Sequence, residues 1–490
     1  MSTASTTRGT VRGTTGAGCS VFLGVPYASP PVGPLRWAPP EPVEPWAGER
    51  DATRYGPAAW QATGGPLDGL VPGMGSADQG DDCLTLNVWT PSVDDARRPV
   101  MVWIHGGGYS LGAGSLPVYD GTRLATATDT VVVTVNYRLG ALGFLLVDHP
   151  SATPNVGLLD QVAALEWVRG NIAAFGGDPD RVTVFGESAG AGCILSLLSM
   201  PRATGLFRRA IAQSGATDLL LDRDRALEVT RVFARCAGVD PTDVDALRAL
   251  PPDEVLAAQA TAAAELYATV GTMPFHPCVD GEVLPWSWQE ASEKGVNPVP
   301  LVMGTTRDEM GLFVAFDPGA ATLDDAGLRK RLGKLAPALD HDRLLDAYAL
   351  TGATTPPEVW RRMSTDTAMW LPALRIAAAR SAHAPLYLYR FDWPAADGRM
   401  GAPHAIDIPF PFTNIDVDGW DGFVADPDDA AVLARTEQQL WASFARDGVP
   451  AAEGVDWAPF DPDRRATLVL GRTVELVEDP NGPVRQAWGG

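Results

Sequence analysis

A serine hydroxyl becomes a useful nucleophile when the backbone holds it on a tight turn and a base takes its proton. Two stretches of this 490-residue chain fit the G-x-S-x-G spacing of such a turn, around Ser110 and around Ser188. The turn needs a strand running in and a helix leaving at once, so that the hydroxyl stands clear of the sheet. Ser188 meets both needs: "RVTVF" precedes it, and the helix-compatible "AGAGCILSLLSM", closed by Pro201, follows. Gly186 and Gly190 flank it where a side chain would strike a neighbouring strand or helix. Ser110 also follows an apolar strand, "VMVWIH", but the "LGAGSLPVYDG" after it is too rich in Gly and Pro to start a helix. What that stretch offers is backbone, since Gly106, Gly107 and Gly108 can bring N–H groups close to a substrate oxygen. The implied chemistry is attack on a carbonyl, in which negative charge builds on that oxygen.

Such a hydroxyl needs a histidine to accept its proton and a carboxylate to orient that histidine. Enzymes with this elbow carry nucleophile, acid and histidine in that chain order, which leaves His276, His341, His383 and His404. Residue types do not choose among them. The acid belongs just beyond a strand, and "VPLVMGTTRDEMGLF" supplies Asp308 and Glu309 after an apolar run. On chemistry alone either carboxylate serves.

The elements that must position these groups are legible as alternation. Short apolar runs recur at "PVMVWIH" from 99, "VVVTVNY" from 131, "VTVFGES" from 182, "PLVMGTT" from 300 and "PLYLYRF" from 385. Helical patterns lie between several of them; Leu158, Val162, Leu165, Val168 and Ile172 recur at three to four residues, enough to cover one helix face. Continuous apolar strands alternating with helices predict an α/β fold with a mostly parallel sheet buried on both faces. Residues 10–25 and "LTLNVWTP" from 84 alternate like antiparallel edge strands and extend the sheet at one side. Residues 217–298 and 312–384 are helical insertions of the kind that cap an α/β core. Residues 61–80, with six Gly and two Pro, read as a mobile surface loop.

Composition excludes several classes. Apolar residues are 46% and charged residues 20%, a globular balance. The net charge of −22 would repel a phosphate backbone, so nucleic acid is not an expected partner. No apolar run reaches a membrane span and the first residues lack a signal-peptide core, so the expectation is a cytoplasmic protein. The five cysteines, at 19, 83, 193, 236 and 278, are widely spaced with no zinc-like pattern, and no metal or cofactor is implied.

Several long blocks in one order resemble the carboxylesterase type B family, whose members have the α/β-hydrolase fold. They include "FLGVPYASPPVGPLRWAPPEPVEPW" at 22, "DDCLTLNVWTP" at 81, "VWIHGGGY" at 102, "VNYRLGALGF" at 135, the run from "NVGLLDQ" at 155 to "TVFGESAGA", and "WASFARDGVP" at 441. The resemblance implies one domain over 1–490, a central sheet with helices on both faces, and caps at about 217–298 and 312–384. "GAPHAIDIPFPF" from 401 looks like the family's catalytic-histidine segment, which puts the base at His404. The family pattern puts the acid at Glu309, with Asp308 as runner-up. By the same carry-over the oxyanion donors are the N–H groups of Gly107, Gly108 and Ala189, Gly106 shapes the turn, and Ser214 matches a serine near the triad. Ion pairs Arg36–Asp81 and Arg138–Asp160 are implied too. Cys83 sits where secreted relatives close a disulfide, and its partner position is Ala59, so the 61–80 loop is unstapled. Residues 61–82 lack the aromatic that cholinesterases use to hold a quaternary ammonium.

The expectation is therefore a serine carboxylesterase acting on a small-molecule ester through Ser188, His404 and Glu309, as a monomer or weak dimer. Two alternatives stand beside it. The same triad hydrolyses amides or carbamates, and some chains of this fold are binding modules that have lost catalytic residues; here every expected residue is present.

Overall fold

Strands buried on both faces have no solvated side to alternate toward, so they read as unbroken apolar runs. Val131–Val135 is the plainest case, with four valines among five consecutive buried residues. The structure, a computed structural model, describes residues 1–64, 71–217, 219–271, 273–314, 317 and 319–489. Among these, thirteen strands form one sheet. In chain order they are β1 (Ser2–Ser5), β2 (Thr10–Gly16), β3 (Cys19–Pro26), β4 (Glu49–Asp51), β5 (Thr85–Thr90), β6 (Arg98–Ile104) and β7 (Val131–Val135). There follow β8 (Gly177–Glu187), β9 (Arg209–Gln213), β10 (Leu301–Thr306), β11 (Leu386–Phe391), β12 (Ala466–Leu470) and β13 (Val474–Glu478).

The central strands β7, β6, β8, β9, β10, β11 and β12 are neighbours in that order and run parallel. Antiparallel strands extend both edges, β5, β3, β2 and β1 on one side and β13 on the other. The first edge is the one expected from residues 10–25 and 84–91; the β12–β13 hairpin is not visible in the sequence pattern. Neither is β9, "RAIAQ", whose Arg, Ala and Gln have little β preference and which forms because β8 and β10 pair with it on both sides.

Alternate residues of β6 show the two layers. Val102 and Ile104 pack into one core with Leu158, Val162 and Leu165 of the helix Val156–Asn171 and Ile194 and Leu198 of the helix Ala189–Ser199. Met101 and Trp103 face the other way, into a core with Phe185, Tyr389, Phe412 and, from the helix Pro427–Asp447, Leu440 and Phe444. Helices therefore cover both faces. The described residues of 217–298 and 312–384 contain helices and no named strand; β10 (Leu301–Thr306) lies between the two spans.

The buried pair Arg138–Asp160 is present, with a closest approach of 2.6 Å. The expected pair Arg36–Asp81 is not. Arg36 donates instead to the carbonyls of Leu250 (2.5 Å) and Arg248 (3.2 Å), at the end of the helix Val244–Ala249, while Asp81 accepts the Trp60 indole N–H at 2.8 Å. Unpaired C-terminal carbonyls compete well for a guanidinium. All five cysteines are free thiols, Cys83 among them and buried. Among the described residues no helix is long and apolar enough to cross a membrane.

Candidate active site

The end of β8 passes directly into the helix Ala189–Ser199, and Ser188 is the hinge, at φ +57° and ψ −125°. A non-glycine residue rarely holds that conformation, and here it turns the hydroxyl out of the sheet. The flanking glycines are sterically required: a Cβ on Gly186 would lie 2.4 Å from the Ile104 carbonyl oxygen, and one on Gly190 only 2.0 Å from it. Sequence alone anticipates that crowding.

Two loops bring the remaining groups to the hydroxyl. Glu309 follows β10 and His404 follows β11 by a longer excursion. His404 Nε2 lies 2.7 Å from Ser188 Oγ, and its Nδ1 lies 2.6 Å from Glu309 Oε2. Glu309 is fully buried; its Oε1 accepts the Thr306 N–H at 2.8 Å, and its carbonyl accepts the His404 N–H at 3.2 Å. The structure thus brings together Ser188, His404 and Glu309. Asp308 points elsewhere, into a cluster of Arg307, Arg361 and Arg362. Burial opposes its charge, but Arg307 and Arg361 overcome that and hold its carboxyl below the usual range. His105 and His276 are buried, which lowers each to about 4, and His341 and His383 meet backbone carbonyls. Ser110 sits in a turn whose N–H bonds to the Gly107 carbonyl, and Ser214 Oγ is buried with no hydrogen-bond partner among the described residues.

One member of the site goes unseen in the sequence reading. Glu187, inside the elbow itself, is buried with Oε1 3.2 Å from His404 Nε2. The available signal was a carboxylate next to the serine in a segment that had to be buried. Burial raises Glu187 to about 8, against the pull of His404, with Asp407 and Glu309 adding to the rise. For His404 burial works against the imidazolium, yet Glu187 and Glu309 outweigh it and lift the ring to about 9. The two titrate as a coupled pair. Further back, Asp407 Oδ2 accepts from Gln213 (3.0 Å) and Tyr389 (3.3 Å), while both carboxyl oxygens of Glu437 are buried without partners among the described residues.

Gly107 (φ +107°) and Gly108 (φ +60°) hold conformations in which a side chain is strained, and neither N–H has a backbone acceptor among the described residues. A Cβ on Gly107 would lie 2.2 Å from the Leu111 carbonyl oxygen. Ala189 opens the elbow helix, where the N-terminal dipole also favours negative charge. These glycines, Ser188 and His404 line a cavity of about 50 Å³ whose other walls are mostly apolar. Val71 and Met74 come from the 61–80 stretch, Met273 from the first insertion, and Leu312 and Phe313 from the second. Val71 and Met74 are buried, so that stretch is not wholly a surface loop as expected; its residues 65–70 lie outside the described ones. Among the described residues no group of three or more His, Cys, Asp or Glu is arranged to hold a metal ion.

Comparison with known proteins agrees in extent. The carboxylesterase family model matches residues 2–486. Para-nitrobenzyl esterase of Bacillus subtilis (strain 168) is 40% identical over 486 residues, covering 98% of this chain and 96% of the relative. Phenmedipham hydrolase of Pseudarthrobacter oxydans is 38% identical over 488 residues, covering 96% and 94%. Among solved structures, a Geobacillus stearothermophilus carboxylesterase superposes with a TM-score of 0.88 at 37% identity over 100% of both chains. A match of that length, on the α/β-hydrolase architecture described above, means that the chain belongs to the carboxylesterase family.

Proposed function

We propose that this chain hydrolyses carboxylic esters of small, largely apolar molecules through a covalent acyl-enzyme on Ser188. Ser188 Oγ attacks the ester carbonyl carbon while its proton passes to His404 Nε2. Glu309 holds the Nδ1–H tautomer and offsets the imidazolium that forms. The N–H groups of Gly107, Gly108 and Ala189 stabilise the oxyanion. As the tetrahedral intermediate collapses, His404 returns the proton to the leaving alcohol. Water, deprotonated by the same ring, then attacks the acyl carbon and releases the acid with Ser188 restored.

The observation that carries this reading is the pair of contacts made by one imidazole, 2.7 Å to Ser188 Oγ and 2.6 Å to Glu309 Oε2. Glu187 fits the same scheme: a proton resting on its carboxyl leaves Nε2 free to accept from Ser188. The chain works as one catalytic unit, with both insertions furnishing pocket wall, and its free thiols suit a reducing cytoplasm.

The test is hydrolysis of para-nitrophenyl acetate and butyrate. Ser188→Ala is expected to lose at least about 10³-fold in kcat, whereas Ser110→Ala keeps most of the activity. An organophosphate should add covalently to the peptide bearing Ser188. Retained activity in Ser188→Ala, or labelling of a different residue, overturns the proposal.

A further inference from the structure

Asp308 is fully buried one residue before Glu309, and every oxygen it has is engaged. Oδ1 accepts from Arg361 Nε at 3.1 Å, and Oδ2 accepts from Arg307 Nε at 2.9 Å and from the Ala402 N–H at 3.0 Å. Its own N–H donates to the Ala402 carbonyl at 2.9 Å, so residues 308 and 402 are joined twice. Arg361 reaches further along the same loop, donating to the Arg399 carbonyl at 2.6 Å. Gly401 completes the fit: at φ +70°, a Cβ there would lie 2.3 Å from Asp308 Oδ2, so only glycine lets the carboxylate close on the loop. Arg361 belongs to the helix Pro356–Thr365 of the second insertion, and that helix also takes the Met310 N–H on Thr365 Oγ1 at 3.0 Å.

Residues 399–404 have no helix or strand of their own, so these bonds, with the Ala395 N–H to the Gly401 carbonyl at 2.7 Å, fix where His404 stands. A buried charge cluster is a poor source of net stability, because desolvation offsets the attraction; a cluster that sets one geometry has a reason to persist. We propose that Asp308 and Arg361 are positioning residues, which lock the loop carrying His404 to the turn carrying Glu309 and tie both to the second insertion. Neither touches the imidazole. The inference rests on the triad reading and adds to it the origin of the His404–Glu309 alignment.

The test compares Arg361→Gln, Arg361→Lys and Asp308→Asn with the parent, using para-nitrophenyl acetate, melting temperature, and organophosphate titration to count competent sites. A displacement of order 1 Å at a catalytic group costs up to about 100-fold, so kcat per titrated site should fall about 10- to 100-fold in Arg361→Gln and Asp308→Asn, with KM within about twofold. Arg361→Lys keeps the charge and should recover part of the loss. A merely structural cluster lowers the melting temperature and the number of titrated sites but leaves kcat per site within about twofold of the parent, and that result overturns the inference. If Asp308→Asn does not fold, Arg361→Gln decides, since its side chain lies 14% exposed at the margin of the cluster. Should Ser188 be labelled stoichiometrically while these variants keep full kcat, the positioning role fails and the triad stands. Labelling of the parent elsewhere removes the triad first.

Discussion

Replacing Glu187 by Gln removes one negative charge from beside His404 and leaves the shape nearly unchanged. The distance from Glu187 Oε1 to His404 Nε2 is 3.2 Å. At an effective dielectric of ~20, a unit charge that close favours the imidazolium by about 5 kcal/mol, equivalent to nearly four pH units at most. Two facts reduce the effect. Burial lifts Glu187 to about 8, so it is only partly ionised where the enzyme works, and a Gln carbonyl still accepts a hydrogen bond. A shift of about one to two units is the expected remainder. The sign is fixed: a carboxylate nearby raises the ring, so its removal lowers the ring, and the acid limb of kcat/KM must move to lower pH. Glu187 Oε2 also occupies the space 3.0 Å from an ideal Cβ on Gly106, and the isosteric amide preserves that packing of the glycine turn. The pH profile of kcat/KM for para-nitrophenyl butyrate, from pH 5 to 9, measures the outcome. An acid limb that stays in place or moves upward refutes the coupling of Glu187 to His404.

Gly107→Ala places a methyl 2.2 Å from the Leu111 carbonyl oxygen and forces the glycine turn to move; kcat should fall by about 10²-fold, the usual cost of one lost oxyanion donor, as read by steady-state kinetics. Met273 presses its sulfur toward Gly108 on the wall of a cavity of about 50 Å³. Met273→Ala should therefore raise the hexanoate-to-acetate ratio of kcat/KM about tenfold, and an unchanged ratio places the acyl chain elsewhere. Glu437 is buried with both oxygens unpartnered among the described residues, and burial pushes its carboxyl well above the ordinary value. An acid raised on folding lends stability below its unfolded pKa and loses it as pH rises through the folded one. Glu437→Met should accordingly stabilise the protein by about 1–2 kcal/mol at pH 8 and by less at pH 5.5, seen by thermal melts at both.

The parts of the fold that the sequence discloses are those whose cause is local. β6, β7, β8, β10 and β11 are apolar runs because both faces are buried, and the helix Val156–Asn171 carries its spacing on one stretch of chain. β9 carries no such mark, since its partners on β8 and β10 supply the reason for its extension. The same holds for the pocket. That 217–298 and 312–384 are helical is legible, but that Met273 and Phe313 line the same cavity as Ser188 depends on how those segments dock.

The site divides along the same line. Ser188 against Ser110 is decided within a dozen residues, because the requirement is a strand, a strained turn and a helix, and glycine marks the turn. Asp308 against Glu309 cannot be decided that way. Both are carboxylates on one turn, both are buried, and either reaches a histidine in principle. What separates them is two later segments: Arg361 and the Ala402 N–H engage Asp308, and His404 is left to face Glu309. Glu187 makes the point from the other side, since it lies inside the motif that was recognised and acquires a partner only when the His404 loop arrives. Residue type sets what a group can do; in this chain the different surroundings of the three buried carboxyls Glu309, Asp308 and Glu187 follow from which distant segment reaches each.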